Sequence, residues 1–305
     1  MPRDQKPAPV PRSDPALPRW VRQGAGREDV ETVLFSAGAA LALLDPLTRS
    51  EDPVGTLWRK RLALSAAAAV AALEGRREAE GQLRDALALC RPGDDPGPGG
   101  RLLIAWRHLG AARALHSADW PARLPGLFDL PPHPLTDLLR DLAARFAGRI
   151  PPLRFAAEAA RDVLALGPAH RGLALWLADA ALARALGWDR PLPLLAAHLP
   201  RAAFRLEGEA WLAACAAAWG RRAVAAFDLH TDLARRAAAL RAVAPKLRGK
   251  DAAAIIVALL SEDALAAQAG AQTSDRAARR LFERLTGLGV VRELTGRPTF
   301  RLYGL

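Results

Sequence analysis

Residues 274–305 read SDRAARRLFERLTGLGVVRELTGRPTFRLYGL, and their composition sets them apart from everything upstream. A helix is predicted from Asp275 to Leu288, because Ala278, Leu281, Leu285 and Leu288 are spaced three, four and three and so share one face. β-Branched and aromatic residues then flank a Thr-Gly-Arg-Pro turn, Thr295 to Pro298, which predicts a β-hairpin. With the turn there, Leu294 is expected opposite Thr299, Arg292 opposite Arg301 and Val290 opposite Tyr303. Val291, Phe300 and Leu302 would then share the face that packs on the helices.

Upstream, DAAAIIVALL (251–260) is apolar enough to be a buried helix. Ser261 is placed to cap a second helix over EDALAAQA (262–269), with Glu262 and Asp263 in its first turn, at the positive end of the helix dipole. Gly270 supplies a tight turn, and Thr273 or Ser274 caps the third helix. Three such helices, the last two joined by a short glycine-containing turn, make a helix-turn-helix. Followed at once by a two-stranded ribbon, residues 250–305 resemble the winged helix superfamily. LAAQAG (265–270), the segment from Ser274 onward and the Leu-Gly-Val-Val entry into the ribbon carry the resemblance. The turn GAQTS (270–274) is one residue longer than the tightest turns of that kind.

The resemblance implies duplex DNA as the partner. Opposite the apolar stripe, the third helix presents Asp275, Arg276, Arg279 and Glu283, with Arg280 on the flank, and this is the face that enters the major groove in a helix-turn-helix. Arg279 and Glu283, at i and i+4, can alternatively satisfy each other on a solvated face. Arg276 and Arg280 have the same spacing and the same sign. Opposed Arg292 and Arg301 destabilise a strand pair unless an anion lies between them, and Arg297 at the turn adds a third cation. Glu293 or the carboxylate of Leu305 is a competing counter-charge for Arg292. Phosphate contacts of this kind position a protein on nucleic acid without reading its sequence. The expected DNA-contacting set is Thr273, Ser274, Arg276, Arg279, Arg280, Arg292, Arg297 and Arg301.

The remainder reads as a Pro-rich disordered tail (1–26) and an all-helical region (27–245), so the fold class is mainly α: an irregular array of packed helical hairpins, then the winged helix at 246–305. Helices are expected at 28–44, 56–73, 77–90, 102–115, 135–146, 153–166, 171–186, 192–199 and 207–243, the last with a break possible at Gly220. RPGDDPGPGG (91–100) reads as a loop, and Trp120 to Pro134, with five prolines, as irregular. No repeat of solenoid length is visible. Trp58-Arg59-x-Arg61-Leu62-Ala63-Leu64, PGDDPGPGGR (92–101) and the chain's ending resemble a proteobacterial family, the domain-of-unknown-function family numbered 1403, a resemblance that implies no activity.

Composition constrains the rest. Of 43 basic residues only four are lysine, within a net charge of +11; such an arginine bias alongside abundant alanine and proline fits a GC-rich coding sequence, so the location of charge matters more than its sum. The longest apolar runs, Leu62 to Leu73 and Ala210 to Trp219, are too short to cross a bilayer. The N-terminus has no secretory h-region, and Cys90 and Cys215 form neither a disulfide framework nor a zinc knuckle; a reducing cytoplasm is expected. No His-x-x-x-His pair, phosphate loop or nucleophile elbow occurs, and on a helix His230 of DLHTD (228–232) points away from Asp228. The tryptophans sit at core-like spacing, except Trp20 in the tail. No cofactor or metal is called for. The leading expectation is a non-enzymatic DNA-binding protein, a transcriptional regulator or a DNA-architecture or plasmid-maintenance protein, whose helical region dimerises or receives a partner or ligand. An interaction protein whose winged helix docks a protein partner is the alternative, and a metal-dependent enzyme using Asp94 and Asp95 is the third.

Overall fold

Alanine and leucine at helical spacing form helices over most of the chain. The computed structural model describes residues 18–23, 29–91, 93–110, 115, 117–146, 151–247, 252–267, 275–297 and 299–305. The helical region contains α1 (Arg19–Gln23), α2 (Val30–Ala42), α3 (Asp45–Thr48), α4 (Val54–Leu73), α5 (Glu80–Ala88), α6 (Gly97–Leu109), α7 (Trp120–Leu127), α8 (Leu135–Arg145), α9 (Pro152–Leu164), α10 (Arg171–Ala185) and α11 (Gly208–Val243). The C-terminal part follows as α12 (Ala252–Ser261), β1 (Leu265–Ala266), α13 (Asp275–Gly287), β2 (Arg292–Glu293) and β3 (Leu302–Gly304). The three strands form one antiparallel sheet in the order β1-β3-β2. None of the described helices is both long and apolar enough to cross a membrane.

The longest helix, α11, runs unbroken through Gly220, where a Cβ would come within 3.3 Å of the Ala37 Cα. Glycine there lets the backbones of α2 and α11 touch. Close packing likewise extends α6 into the expected loop: Gly97 to Gly100 form its first turn, and a Cβ on Gly100 would lie 2.3 Å from Pro96 Cβ. Pro121, in the first turn of α7, removes an N–H that has no helical partner there anyway. The expected irregular stretch from Trp120 is therefore helical as far as Leu127, with Pro125 inside it.

The stretch 192–199, expected to be helical, is instead an irregular, mostly buried segment. Its backbone is satisfied from outside: the buried Asp179 carboxylate on α10 accepts from Leu194 N at 2.8 Å and Leu195 N at 3.1 Å, and from Trp219 Nε1 at 2.8 Å. Three other buried indoles donate to carbonyls, Trp58 to Ala226, Trp176 to Ala105 and Trp211 to Ala157. Each such tryptophan supplies bulk to an alanine-rich interior and ties two helices together. Within the expected tail, Arg19–Gln23 forms α1, whose Val21 reaches the core while Trp20 stacks on exposed Phe35 at 5.6 Å.

One continuous apolar core runs from α2 to the C-terminus and includes Leu259, Leu260, Phe282, Leu285, Val291, Tyr303 and Leu305. The C-terminal part thus shares its interior with the helical region.

Candidate nucleic-acid interface

The buried stripe of α13 consists of Ala278, Phe282 and Leu285, with Leu281 half-buried. Leu288 lies exposed beyond the helix end, so the expected stripe ending on Leu288 is corrected by one position in its middle and loses its last member. The physical reason is aromatic: Phe282 turns inward and stacks on Tyr303 of β3, ring centroids 4.6 Å apart. At about 100° per residue, the direction opposite this stripe is occupied by Arg276, Arg280 and Glu283, with Arg279 and Arg284 on either side. All five are exposed. Arg284 donates to the Lys246 carbonyl at 3.2 Å. Arg276, Arg279 and Arg280 have no ion-pair partner among the described residues. Thr273 and Ser274, along with the turn at Gly270, lie outside the described residues.

The second expected helix is replaced in part by strand β1, in which Leu265 pairs with Tyr303 and Ala266 with Leu302. Ser261 does not cap a following helix; it ends α12, its hydroxyl donating back to the Val257 carbonyl at 3.2 Å. Asp263, expected in a helical first turn, is instead fully buried between α12 and β1, where guanidiniums from three helices converge on it. Arg84 Nε donates to Oδ2 at 2.8 Å, Arg61 Nε lies 2.6 Å from Oδ1 but off the hydrogen-bond line, and Arg107 Nη2 lies 3.9 Å from Oδ2. Arg61 Nη2 also donates to the carbonyls of Asp263 and Leu305. Burial pulls Arg61 and Arg107 below the usual arginine range, and the Asp263 charge opposes that pull. Lys60 pairs with Glu262 at 2.6 Å beside this cluster. No sequence signal pointed to it, because its four members are far apart in the chain.

The hairpin also differs from expectation. Arg292 stands opposite Gly304 and Glu293 opposite Tyr303, and Leu294 N donates to the Leu302 carbonyl at 2.8 Å. The register is therefore shifted by three residues, and Arg292 does not face Arg301. Glu293 sets the longer loop: its carboxylate accepts from the Thr295 hydroxyl and from the backbone N–H groups of Thr295 and Gly296. Burial raises that carboxyl, but these bonds, the hydroxyl's first, outweigh it and hold the group below its ordinary range. Phe300, expected on the packing face, is 70% exposed. Of the hairpin arginines, Arg292 is exposed, Arg297 pairs with Asp85 of α5, and Arg301 Nε donates to the Arg297 carbonyl at 2.9 Å. Arg276, Arg279 and Arg280 on α13 and Arg292 on β2 are thus exposed cations, while Arg297 is engaged within the molecule.

A cleft of about 710 Å³ is walled by α2, the start of α9 and the end of α10, with Leu34, Leu41, Pro152, Leu182, Leu186 and Trp188 among its lining. Its charged groups are already engaged. Arg49 grips Asp45 through Nε and Nη2, both at 2.9 Å, Trp188 Nε1 donates to the same carboxylate, and Arg154 pairs with Glu209 at 2.7 Å. The Arg49 contact, then that of Trp188, holds the Asp45 carboxyl below the usual range. In the loop proposed for a metal, Asp95 pairs with Arg101 at 2.6 Å and accepts from Gly97 N. Among the described residues, no group of three or more His, Cys, Asp or Glu is placed to hold a metal ion. His230 of DLHTD packs edge-on against Trp58 at 5.2 Å.

The sequence profile of a family described as "Protein of unknown function (DUF1403)" matches residues 10–305, almost the entire chain, and the protein belongs to that family. No curated protein matches the chain.

Proposed function

We propose that the protein binds double-stranded DNA through a C-terminal winged helix-turn-helix, as a transcriptional regulator or a DNA-architecture or plasmid-maintenance protein. The observation that carries this reading is the exposed group Arg276, Arg279 and Arg280, directed away from the core on a helix whose other face is locked into it. In this reading α13 enters the major groove and β2-β3 is the wing, with Arg292 and Arg301 on phosphates. Arg297 joins them only on leaving Asp85. The helical region holds the reading unit in place and serves for dimerisation or ligand binding. The cleft between α2, α9 and α10 suits a neutral apolar ligand, because its size is that of a small-molecule site and its charges are already paired.

The test is a gel-shift titration of the full chain with duplex DNA, comparing the wild type with the Arg276→Glu/Arg280→Glu variant. Loss of the shift in the variant is expected, and an unchanged shift overturns the reading. A second reading, a winged helix that docks a protein partner, is favoured by the Arg297–Asp85 pair, which uses a wing cation inside the chain. It predicts no DNA affinity at physiological salt.

A further inference from the structure

Four charged residues of the described chain are buried: Arg59, Arg84, Asp179 and Asp263. Arg84 and Asp263 pair with each other, and Asp179 accepts from three donors. Arg59 is the exception. It lies on α4, is 4% exposed, and its Nη1 has no hydrogen-bond partner; no carboxylate among the described residues pairs with it. Its sequence neighbours Lys60 and Arg61 face the C-terminal part and are paired there. A buried guanidinium left without a counter-charge is costly to keep.

The side chain is held in place by its surroundings. Its aliphatic stem crosses Gly110 at the end of α6, where a Cβ would come within 3.3 Å of Arg59 Cβ. Its head rests against Gly55 in the first turn of α4, where a Cβ would be 3.5 Å from Nη2 and 3.6 Å from Nη1. The guanidinium therefore sits at the positive end of a 20-residue helix. The charged groups that act on it are Arg190, of like sign, and Glu51, of opposite sign. Burial first, then Arg190, pushes Arg59 down to about 10, despite Glu51. Helix terminus, buried cation and neighbouring cation all favour a negative guest, and one exposed carboxylate offsets them incompletely.

We propose that Arg59, within the field of Arg190, anchors a site for a small oxyanion of the phosphate type where the start of α4 meets the end of α6. The anion is either free or the phosphate group of a small metabolite; its bond to the guanidinium replaces the partner that the chain does not supply. This site is independent of the DNA interface.

The test is thermal unfolding of the full chain in sodium chloride, and at the same ionic strength in inorganic phosphate, sulfate or glycerol 3-phosphate. The wild type is expected to gain several degrees in at least one oxyanion over chloride. A gain in inorganic phosphate and sulfate identifies a free-anion site, and a gain confined to glycerol 3-phosphate identifies the phosphate of a metabolite. Arg59→Met is expected to abolish that gain while unfolding in chloride no earlier than the wild type, since an unpaired buried charge has been replaced by an apolar side chain. Arg190→Met is expected to fold normally and to need a severalfold higher anion concentration for the same gain. No oxyanion-specific gain in the wild type, or a full gain retained in Arg59→Met, overturns the proposal. So does an Arg59→Met variant that is less stable than the wild type in chloride, which would mean that Arg59 already has its partner within the chain.

Discussion

Replacing Asp263 with alanine removes the one carboxylate that Arg61, Arg84 and Arg107 share. The three guanidiniums have side-chain exposures of 16%, 9% and 24%, and Asp263 has none, so water replaces the lost charge poorly. Breaking a buried pair from one side costs about 3–5 kcal/mol, because the uncompensated charge remains. For a chain of this length that corresponds to a fall in melting temperature of roughly 5–8 °C. The cluster also joins α4, α5 and α6 to the junction of α12 with β1, so the loss should be local at first. Limited proteolysis is expected to cut Asp263→Ala between α11 and α13 well before the wild type. Adding Arg84→Met to Asp263→Ala should recover part of the loss, since a stranded cation is then removed. A melting point within about 1 °C of the wild type, the behaviour of an exposed ion pair, would refute the reasoning, as would a double variant no more stable than the single one.

Asp179 gives a pH test. Burial raises its carboxyl from 3.8 to about 7, against the pull of the Trp219 indole and the Leu194 and Leu195 amides. A group raised in the folded state contributes stability that is complete below its unfolded value and is lost as pH climbs through the folded one. Asp179→Asn, which cannot titrate and turns an amide NH2 toward backbone donors, should cost about 1–3 kcal/mol at pH 5. The gap should narrow toward pH 8 in urea titrations, and a gap independent of pH would contradict the assignment. Gly100→Ala forces a Cβ to within 2.3 Å of Pro96 Cβ and should destabilise by about 1–3 kcal/mol through overpacking, measured by thermal unfolding. Asp85→Asn frees Arg297 and, if the wing meets phosphate, should tighten DNA binding in a gel shift and steepen its salt dependence. In hydrogen exchange, the Leu294 amide should be protected through its bond to the Leu302 carbonyl.

Most helices were legible from periodicity alone, since α4, α8, α9, α10 and α11 depend on long regular runs of alanine and leucine. What escaped was set by tertiary partners. The segment at 192–199 has a helical composition, but the Asp179 carboxylate satisfies its amides in an irregular path. Residues 97–100 look like a loop, yet the missing side chains of Gly99 and Gly100 let α6 begin there. Leu265 and Ala266 carry no strong strand preference and become β1 only because β3 offers an edge to pair with. The hairpin register followed Glu293 gathering the Thr295 and Gly296 amides, which the Thr-Gly-Arg-Pro turn did not announce. At the candidate interface, Arg276, Arg279 and Arg280 could be placed on the outer face of α13 from spacing, whereas the Arg297–Asp85 pair and the arginines around Asp263 join segments far apart in sequence.

The most direct test of DNA binding is its salt dependence, measured on the full chain because the C-terminal part shares its core with the helical region. Five exposed arginines, Arg276, Arg279, Arg280, Arg292 and Arg301, meet DNA in this reading. At about 0.9 counterion per phosphate neutralised, the logarithm of the binding constant should fall against the logarithm of salt concentration with a slope of about −4 to −5. In Arg276→Gln/Arg280→Gln, which loses two cationic contacts without adding repulsion, the slope should flatten by about two. Absence of binding to duplex DNA at low salt, or a slope that the double neutralisation leaves unchanged, would contradict a DNA-reading role for α13.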